Sequence, residues 1–314
     1  MRGLPVIPFY GIAGVFVVSE MKEVIVMKKV GIFLLAAVLL FVCVGCGGSE
    51  RASIAGATCL ADLKGARIAA QAGTFHADAL PQIEDVKSAT YPEFSDLLTA
   101  LKSGAIDGYI AEEPTAKSVC LSDDTLTYIP LKNNDTGFKA TAADVGIAIG
   151  LKEGSPLRDL INAALAGVTE EQKQTLMSAM MALANGDAID PAALLPVDDT
   201  AFTDVLKVGM ECAYEPYNWT ETKSGTLGEV AISGEGKEGL FANGYDVQMA
   251  RYVAASLGKK LEIYAYEWDS LLPAVQSGAI DAIVAGMSPT EEREEEIDFT
   301  NTYYESNLVV ICKK

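Results

Sequence analysis

The sequence predicts an α/β protein built as two similar lobes, and three observations carry that expectation. The chain has 314 residues, half of them apolar, enough for two ordinary domains with cores of their own. A segment of fifteen residues beginning at Leu97 returns at Leu271 with nine positions identical. Each copy reads as a helix, a glycine stop and a short buried strand, the unit from which open α/β sheets are assembled.

The elements follow in order. Ala66–Gln71 reads as a strand that ends in Gly73-Thr74, with a helix after it. In the first repeat, the apolar spacing from Leu97 to Ser103 suits one helix face. Gly104 then supplies the left-handed terminus, and Gly108–Ala111 forms a compact strand. Pro156–Ala166 and Thr169–Ala184 read as two helices. Asn185 to Thr200, rich in Asp, Pro and Ala, reads as a linker. Val205–Met210 is the next strand, Asp246 caps an amphipathic helix that runs through Leu257 to a stop at Gly258, and Leu261–Tyr266 is a strand again. The second repeat closes the series with a helix to Ser277, Gly278 and the strand Ala282–Ala285. Ligands of open α/β sheets bind beyond the carboxyl ends of the strands. At those ends stand Glu112 in one copy and Gly286-Met287-Ser288 in the other, so two facing lobes place Glu112 across a cleft from Ser288.

Composition removes several classes of function. A net charge of −19 argues against nucleic acid, whose phosphates demand basic patches. Cys59, Cys120, Cys212 and Cys312 are too scattered for a disulfide scaffold. With no Cys-x-x-Cys outside the Cys43-Val44-Gly45-Cys46 of the signal and a single histidine, His76, neither a metal site nor a Ser-His-Asp triad is expected, and no cofactor. The start of the chain carries an address. Met27-Lys28-Lys29 precedes an apolar run from Val30 to Val44, short for a membrane span and suited to a signal peptide. The run ends in Val44-Gly45-Cys46-Gly47-Gly48-Ser49, which resembles a bacterial lipobox despite Cys43. That resemblance implies cleavage before Cys46 and a diacylglycerol on its thiol; the other reading is an uncleaved membrane anchor. Either puts the rest of the chain outside the cytoplasm, and residues 1–26 read as an overlong start ahead of Met27.

A family resemblance rests on several short motifs taken together. Gly209-Met210-Glu211-Cys212-Ala213-Tyr214-Glu215-Pro216-Tyr217-Asn218-Trp219, Gly244-Tyr245-Asp246-Val247, Glu267-Trp268-Asp269 and Ala285-Gly286-Met287-Ser288-Pro289-Thr290-Glu291-Glu292-Arg293 form one set. Ile297-Asp298-Phe299-Thr300 with Tyr303-Tyr304 completes it. A second set is Leu63-Lys64-Gly65, Gln71-Ala72-Gly73-Thr74 and Gly108-Tyr109-Ile110-Ala111-Glu112-Glu113-Pro114. Jointly they resemble the polar amino-acid-binding proteins of ABC transporters (extracellular solute-binding proteins, family 3) over residues 58–184 and 203–314. The resemblance implies a periplasmic-binding-protein-like fold of type II, with one departure. The half that comes first in the family comes second here. The expected divisions are a leader and signal over 1–45, a tether over 46–57, the family's second lobe over 58–145, a return strand and helices over 146–186, a linker over 187–202 and the first lobe over 203–314. Such an order fits a circular permutant whose one remaining covalent crossover lies near Val145–Gly150, or a fragment of a tandem array. Cys59 and Cys312 flank the cut, either as a disulfide or as two separate thiols.

The resemblance also assigns roles. Arg293 corresponds to the arginine that takes the ligand's carboxylate, for which a guanidinium offers two parallel donors. Glu112 corresponds to the acid that takes the ammonium, commonly Asp in the family. Gly286, Ser288 and Thr74 stand at the loops that would donate further hydrogen bonds. Tyr214 and Trp268 wall the side-chain pocket, with Phe75 and Gln71 as further candidates. Glu211 either meets a cationic side chain or faces solvent. The implied action is hinge closure around a free amino acid and delivery to an ABC permease and ATPase complex, with no chemistry and with the membrane reached through the lipid on Cys46. Two rivals share the fold: a ligand-sensing lipoprotein, and an enzyme such as a dehydratase that recruits Glu112.

Overall fold

In the computed structural model, residues 53–198 and 202–314 are described; the signal segment, Cys43 and the Cys46 lipidation site lie outside them. The chain enters the first sheet at β1 (Ile68–Gln71), buried along its whole length, and turns into α1 (Phe75–Ala79). Then come β2 (Ala89–Tyr91), α2 (Phe94–Ser103), β3 (Gly108–Glu112), α3 (Glu113–Ser122) and β4 (Leu126–Ile129). After α4 (Ala142–Val145), the short strands β5 (Gly146–Ile147) and β6 (Gly150–Leu151) lead to α5 (Leu157–Leu165) and α6 (Glu170–Ala184). The second sheet starts with β7 (Val205–Met210), followed by β8 (Ala213–Tyr214), β9 (Asn218–Glu221), β10 (Val230–Ser233), β11 (Phe241–Asn243), α7 (Tyr245–Ser256) and β12 (Lys260–Ala265). The chain ends with α8 (Leu271–Ser277), β13 (Ala282–Ile283), α9 (Glu291–Glu294), β14 (Asp298–Phe299), β15 (Tyr304–Glu305) and β16 (Leu308–Lys313).

The two lobes share one plan. The N-terminal sheet has the order β2-β1-β3-β16-β4, with β1 parallel to β2 and β3 and with β16 antiparallel to β3. The C-terminal sheet contains β12-β7-β13-β6-β14, with β7 parallel to β12 and β13 and with β6 antiparallel to β13. In each lobe three parallel strands are followed by a strand that arrives from the other lobe. This is the two-lobed, periplasmic-binding-protein-like α/β fold of type II.

The repeat does the same work in both copies. Ser103 Oγ donates to Ala100 O and Ser277 Oγ to Ala274 O, each at 3.0 Å. Gly104 and Gly278 stop their helices at φ +77° and +78°, a left-handed conformation that a side chain would strain. Asp107 accepts the Arg67 amide and Asp281 the Lys207 amide, each at 2.8 Å, which pins the loop before the third strand to the start of the first.

Three expectations change. The lobe expected over 203–314 would include β16, yet β16 lies in the N-terminal sheet between β3 and β4. Leu308 to Cys312 are all buried, which requires an interior place, and the matching place in the C-terminal sheet is filled by β6. The lobes are therefore joined by two covalent crossings, one through 145–150 and one through 299–308, in place of one. Where they pass, β5 and β15 pair antiparallel, Tyr304 opposite Ile147. Finally, Asp246 is no cap: Gly244 holds that position, and Asp246 lies fully buried in the first turn, accepting from Tyr303 Oη at 2.6 Å and Asn218 Nδ2 at 2.8 Å. Burial outweighs these bonds and pushes its pKa up to about 6.

Ser53 Oγ donates to Lys313 O at 3.3 Å, so the segment that enters the N-terminal lobe meets the last strand. Cys59 and Cys312 are separate thiols. Among the described residues no helix is long and apolar enough to cross a membrane.

Candidate functional site

The carboxyl ends of β1 and β3 face those of β7 and β13, and the residues there line one narrow cavity. From the N-terminal lobe come Gln71 at the end of β1, Thr74, Phe75 and His76 at the start of α1, Phe94 at the start of α2, and Glu112 at the end of β3. From the C-terminal lobe come Glu211 after β7, Tyr214 in β8, Trp268 before α8, Ala285, Gly286 and Ser288 after β13, and Arg293 in α9. All ten residues to which the sequence assigns ligand contacts border this one cavity. His76, Phe94 and Ala285 border it as well, and the sequence does not single them out.

Arg293 holds the C-terminal side. Its Nη1 donates to Ser288 O at 2.7 Å, its Nη2 to Gly73 O of the opposite lobe at 2.8 Å, and its guanidinium lies 5.3 Å over the Trp268 ring. Trp268 Nε1 donates to the same Gly73 carbonyl at 3.1 Å. The half-buried guanidinium makes no ion pair among the described residues, and loss of water pulls its pKa down to about 10.

Glu112 holds the N-terminal side. It is 5 % exposed; one oxygen lies 3.1 Å from His76 Nε2 and the other, Oε2, has no hydrogen-bond partner. The cavity also has an aromatic wall: Phe94 stacks on Tyr214 at 4.0 Å across the cleft, and Tyr214 on Tyr217 at 5.2 Å. Gly286 belongs to this wall, since a Cβ there would stand 3.4 Å from the Tyr214 ring.

The two hydroxyls expected to serve a ligand each donate within the protein. Ser288 Oγ donates to Asp144 O at 2.8 Å and Thr74 Oγ1 to Gln71 O at 2.7 Å. A hydroxyl has one proton to give and lone pairs left to accept, so in this arrangement each hydroxyl holds its loop and stays open as an acceptor.

A second acid lines the cavity. Glu211 is buried and accepts from Gln71 Nε2 of the other lobe at 2.6 Å. Its pKa is raised, chiefly by burial. Glu93 beside it is pushed up to about 9, first by burial and then by its hydrogen bonds with Glu267 and Glu211.

Comparison with known proteins bears on the second half of the chain. Residues 206–314 match the family of bacterial extracellular solute-binding proteins, family 3. The arginine-binding extracellular protein ArtP of Bacillus subtilis is 36 % identical over 80 residues, 26 % of this chain and 31 % of that protein. The L-cystine-binding protein TcyA of the same organism is 32 % identical over 110 residues, 35 % of either chain. An ancestral arginine-binding protein solved with arginine is 32 % identical over 33 % of this chain and 38 % of its own, with a TM-score of 0.26. The matched stretch thus spans about a third of the length of such relatives.

Proposed function

We propose that the protein captures a free amino acid between its lobes and presents it to an ABC importer outside the cytoplasm. One observation carries this reading: a single cavity holds a guanidinium without a carboxylate partner on one lobe and a buried carboxylate with a free oxygen on the other. A zwitterion supplies both missing partners. Its carboxylate takes the two parallel donors of Arg293, and its ammonium takes Glu112 Oε2. The side chain then lies along Phe94, Tyr214 and Trp268 toward Glu211. The carboxyls of Glu211, Glu93 and Glu267 at that end favour a cationic side chain, whose charge replaces the proton that burial otherwise retains there.

The mechanism is closure about the two crossings paired through β5 and β15. Arg293, Trp268, Gln71 and Tyr214 each touch the opposite lobe, so a ligand seated among them favours the closed arrangement that an importer recognises. No bond is made or broken. The Cys46 lipobox supports attachment to the outer face of the membrane. The contact of Ser53 with Lys313 and the sharing of strands between the halves support reading the halves as one binding unit in exchanged order.

The test is calorimetric titration of the purified protein with each common L-amino acid. The reading expects saturable binding, on the order of micromolar, strongest for arginine or lysine, and a loss of roughly 2–5 kcal/mol in Arg293→Ala. Absence of binding by every amino acid, or full affinity in that variant, contradicts it.

A further inference from the structure

The chain's single histidine stands beside the acid that receives the ligand's ammonium in the reading above. His76 lies in the first turn of α1, 6 % exposed, with Nε2 at 3.1 Å from Glu112 Oε1. Its ring meets Phe94 edge-on at 5.8 Å, and Phe94 is itself held by the stack on Tyr214. Among the described residues, no other side chain lies within hydrogen-bond or ion-pair distance of the Glu112 carboxylate.

We propose that His76 is a positioning residue for amino-acid capture: its Nε2–H fixes one oxygen of Glu112 and so aims the other at the ammonium of the ligand. The inference rests on the amino-acid reading of the cavity. A glutamate has one methylene more than an aspartate and one more torsion to order, so its carboxylate needs an anchor to present a defined face. The imidazole provides it. Short of a strand-end backbone, it approaches Glu112 from α1, and the aromatic wall limits its own rotation. At 3.1 Å from a carboxylate, Nε2 carries the proton. Nδ1 has no hydrogen-bond partner, so the pair to Glu112 is the only polar contact orienting the ring among the described residues.

The experiment compares His76→Leu, which keeps an apolar body against Phe94 without a donor, with His76→Gln, whose amide N–H has a similar reach. Each is titrated with the L-amino acid that the unaltered protein binds most tightly, and with the same acid lacking its α-amino group. The expected result is a loss of roughly ten- to hundredfold for the amino acid in His76→Leu, recovery to within about threefold in His76→Gln, and equal, weak binding of the deaminated acid by all three proteins. In addition, the only imidazole signal in a proton–nitrogen correlation spectrum should move when the amino acid saturates the unaltered protein. The proposal is overturned if His76→Leu binds the amino acid as tightly as the unaltered protein or more tightly, if His76→Gln is as weak as His76→Leu, if the deaminated acid loses affinity in parallel, or if the imidazole signal stays in place. Failure of the unaltered protein to bind any amino acid removes the capture reading first, and the role of His76 with it.

Discussion

The two copies of the repeat agree where they build the frame and part where they reach the cavity. Serine, glycine and aspartate make the same bonds in both: 3.0 Å from Ser103 and Ser277, left-handed turns at Gly104 and Gly278, 2.8 Å to Asp107 and Asp281. At the ends of the strands the likeness stops. β3 closes on Glu112, a carboxylate, while β13 runs into Gly286 and Ser288 and onward to the guanidinium of Arg293. A duplicated scaffold thus presents opposite charges to one space. Residues that fix a helix end or a loop are set by backbone geometry common to both lobes, whereas residues at the strand ends are free to differ because that shared geometry does not reach them.

Breaking the site on one lobe should have the largest effect. Glu112→Ala leaves the ligand's ammonium without its charged acceptor and should weaken amino-acid binding by about 2–4 kcal/mol, measured by calorimetry, with the melting temperature little changed. Breaking the frame should have the reverse signature. Asp281→Ala orphans one amide and should cost about 1–3 kcal/mol of stability in urea unfolding. Asp107→Ala should cost more, because Asp107 also pairs with the Arg67 guanidinium, which has no counterpart in the other lobe. Equal losses at the two aspartates would show that the Arg67 pair contributes nothing.

A third prediction concerns pH. Glu93 of one lobe meets Glu211 and Glu267 of the other with its pKa raised to about 9. Separation of the lobes returns it toward the usual carboxylate value, so the closed form holds a proton that the open form releases. Closure is therefore favoured fully below the ordinary carboxylate range and loses that support as pH rises through about 9. Small-angle scattering of the protein without amino acid should show a smaller radius at pH 5 than at pH 9 (both roughly bracketing the shift), and Glu93→Gln should flatten the difference. The smallest effect is expected at the glycine stops: Gly104→Ala and Gly278→Ala should each cost about 1 kcal/mol, and equally, since their φ angles agree.

Much of this was legible in the residues. A repeat with its helix, stop and strand foretells two sheets, and the motif positions of Arg293, Glu112, Tyr214 and Trp268 bring them to one cavity. The rest was hidden for identifiable reasons. The run Leu308–Cys312 was placed only by the range 203–314, because sequence order does not say which sheet a buried strand joins, and its place was decided by the slot between β3 and β4. Asp246 at a helix start imitates a cap, yet the tertiary partners Tyr303 and Asn218 take its carboxylate inside. His76 gives no pattern to follow, since a lone histidine has no spacing, and Phe94 reads as one more apolar residue of a helix. Only the packing of α1 and α2 against the strand ends brings them to the site.

The central claim is that two opposed charges, one on each lobe, grip the two ends of a zwitterion. Titration of the unaltered protein with L-arginine, with the amine that lacks its carboxylate (agmatine) and with the acid that lacks its α-amino group (5-guanidinopentanoate) tests it most directly. The account predicts that deleting either charge weakens binding by roughly a hundredfold or more. Binding of either analogue as tight as that of arginine would contradict it.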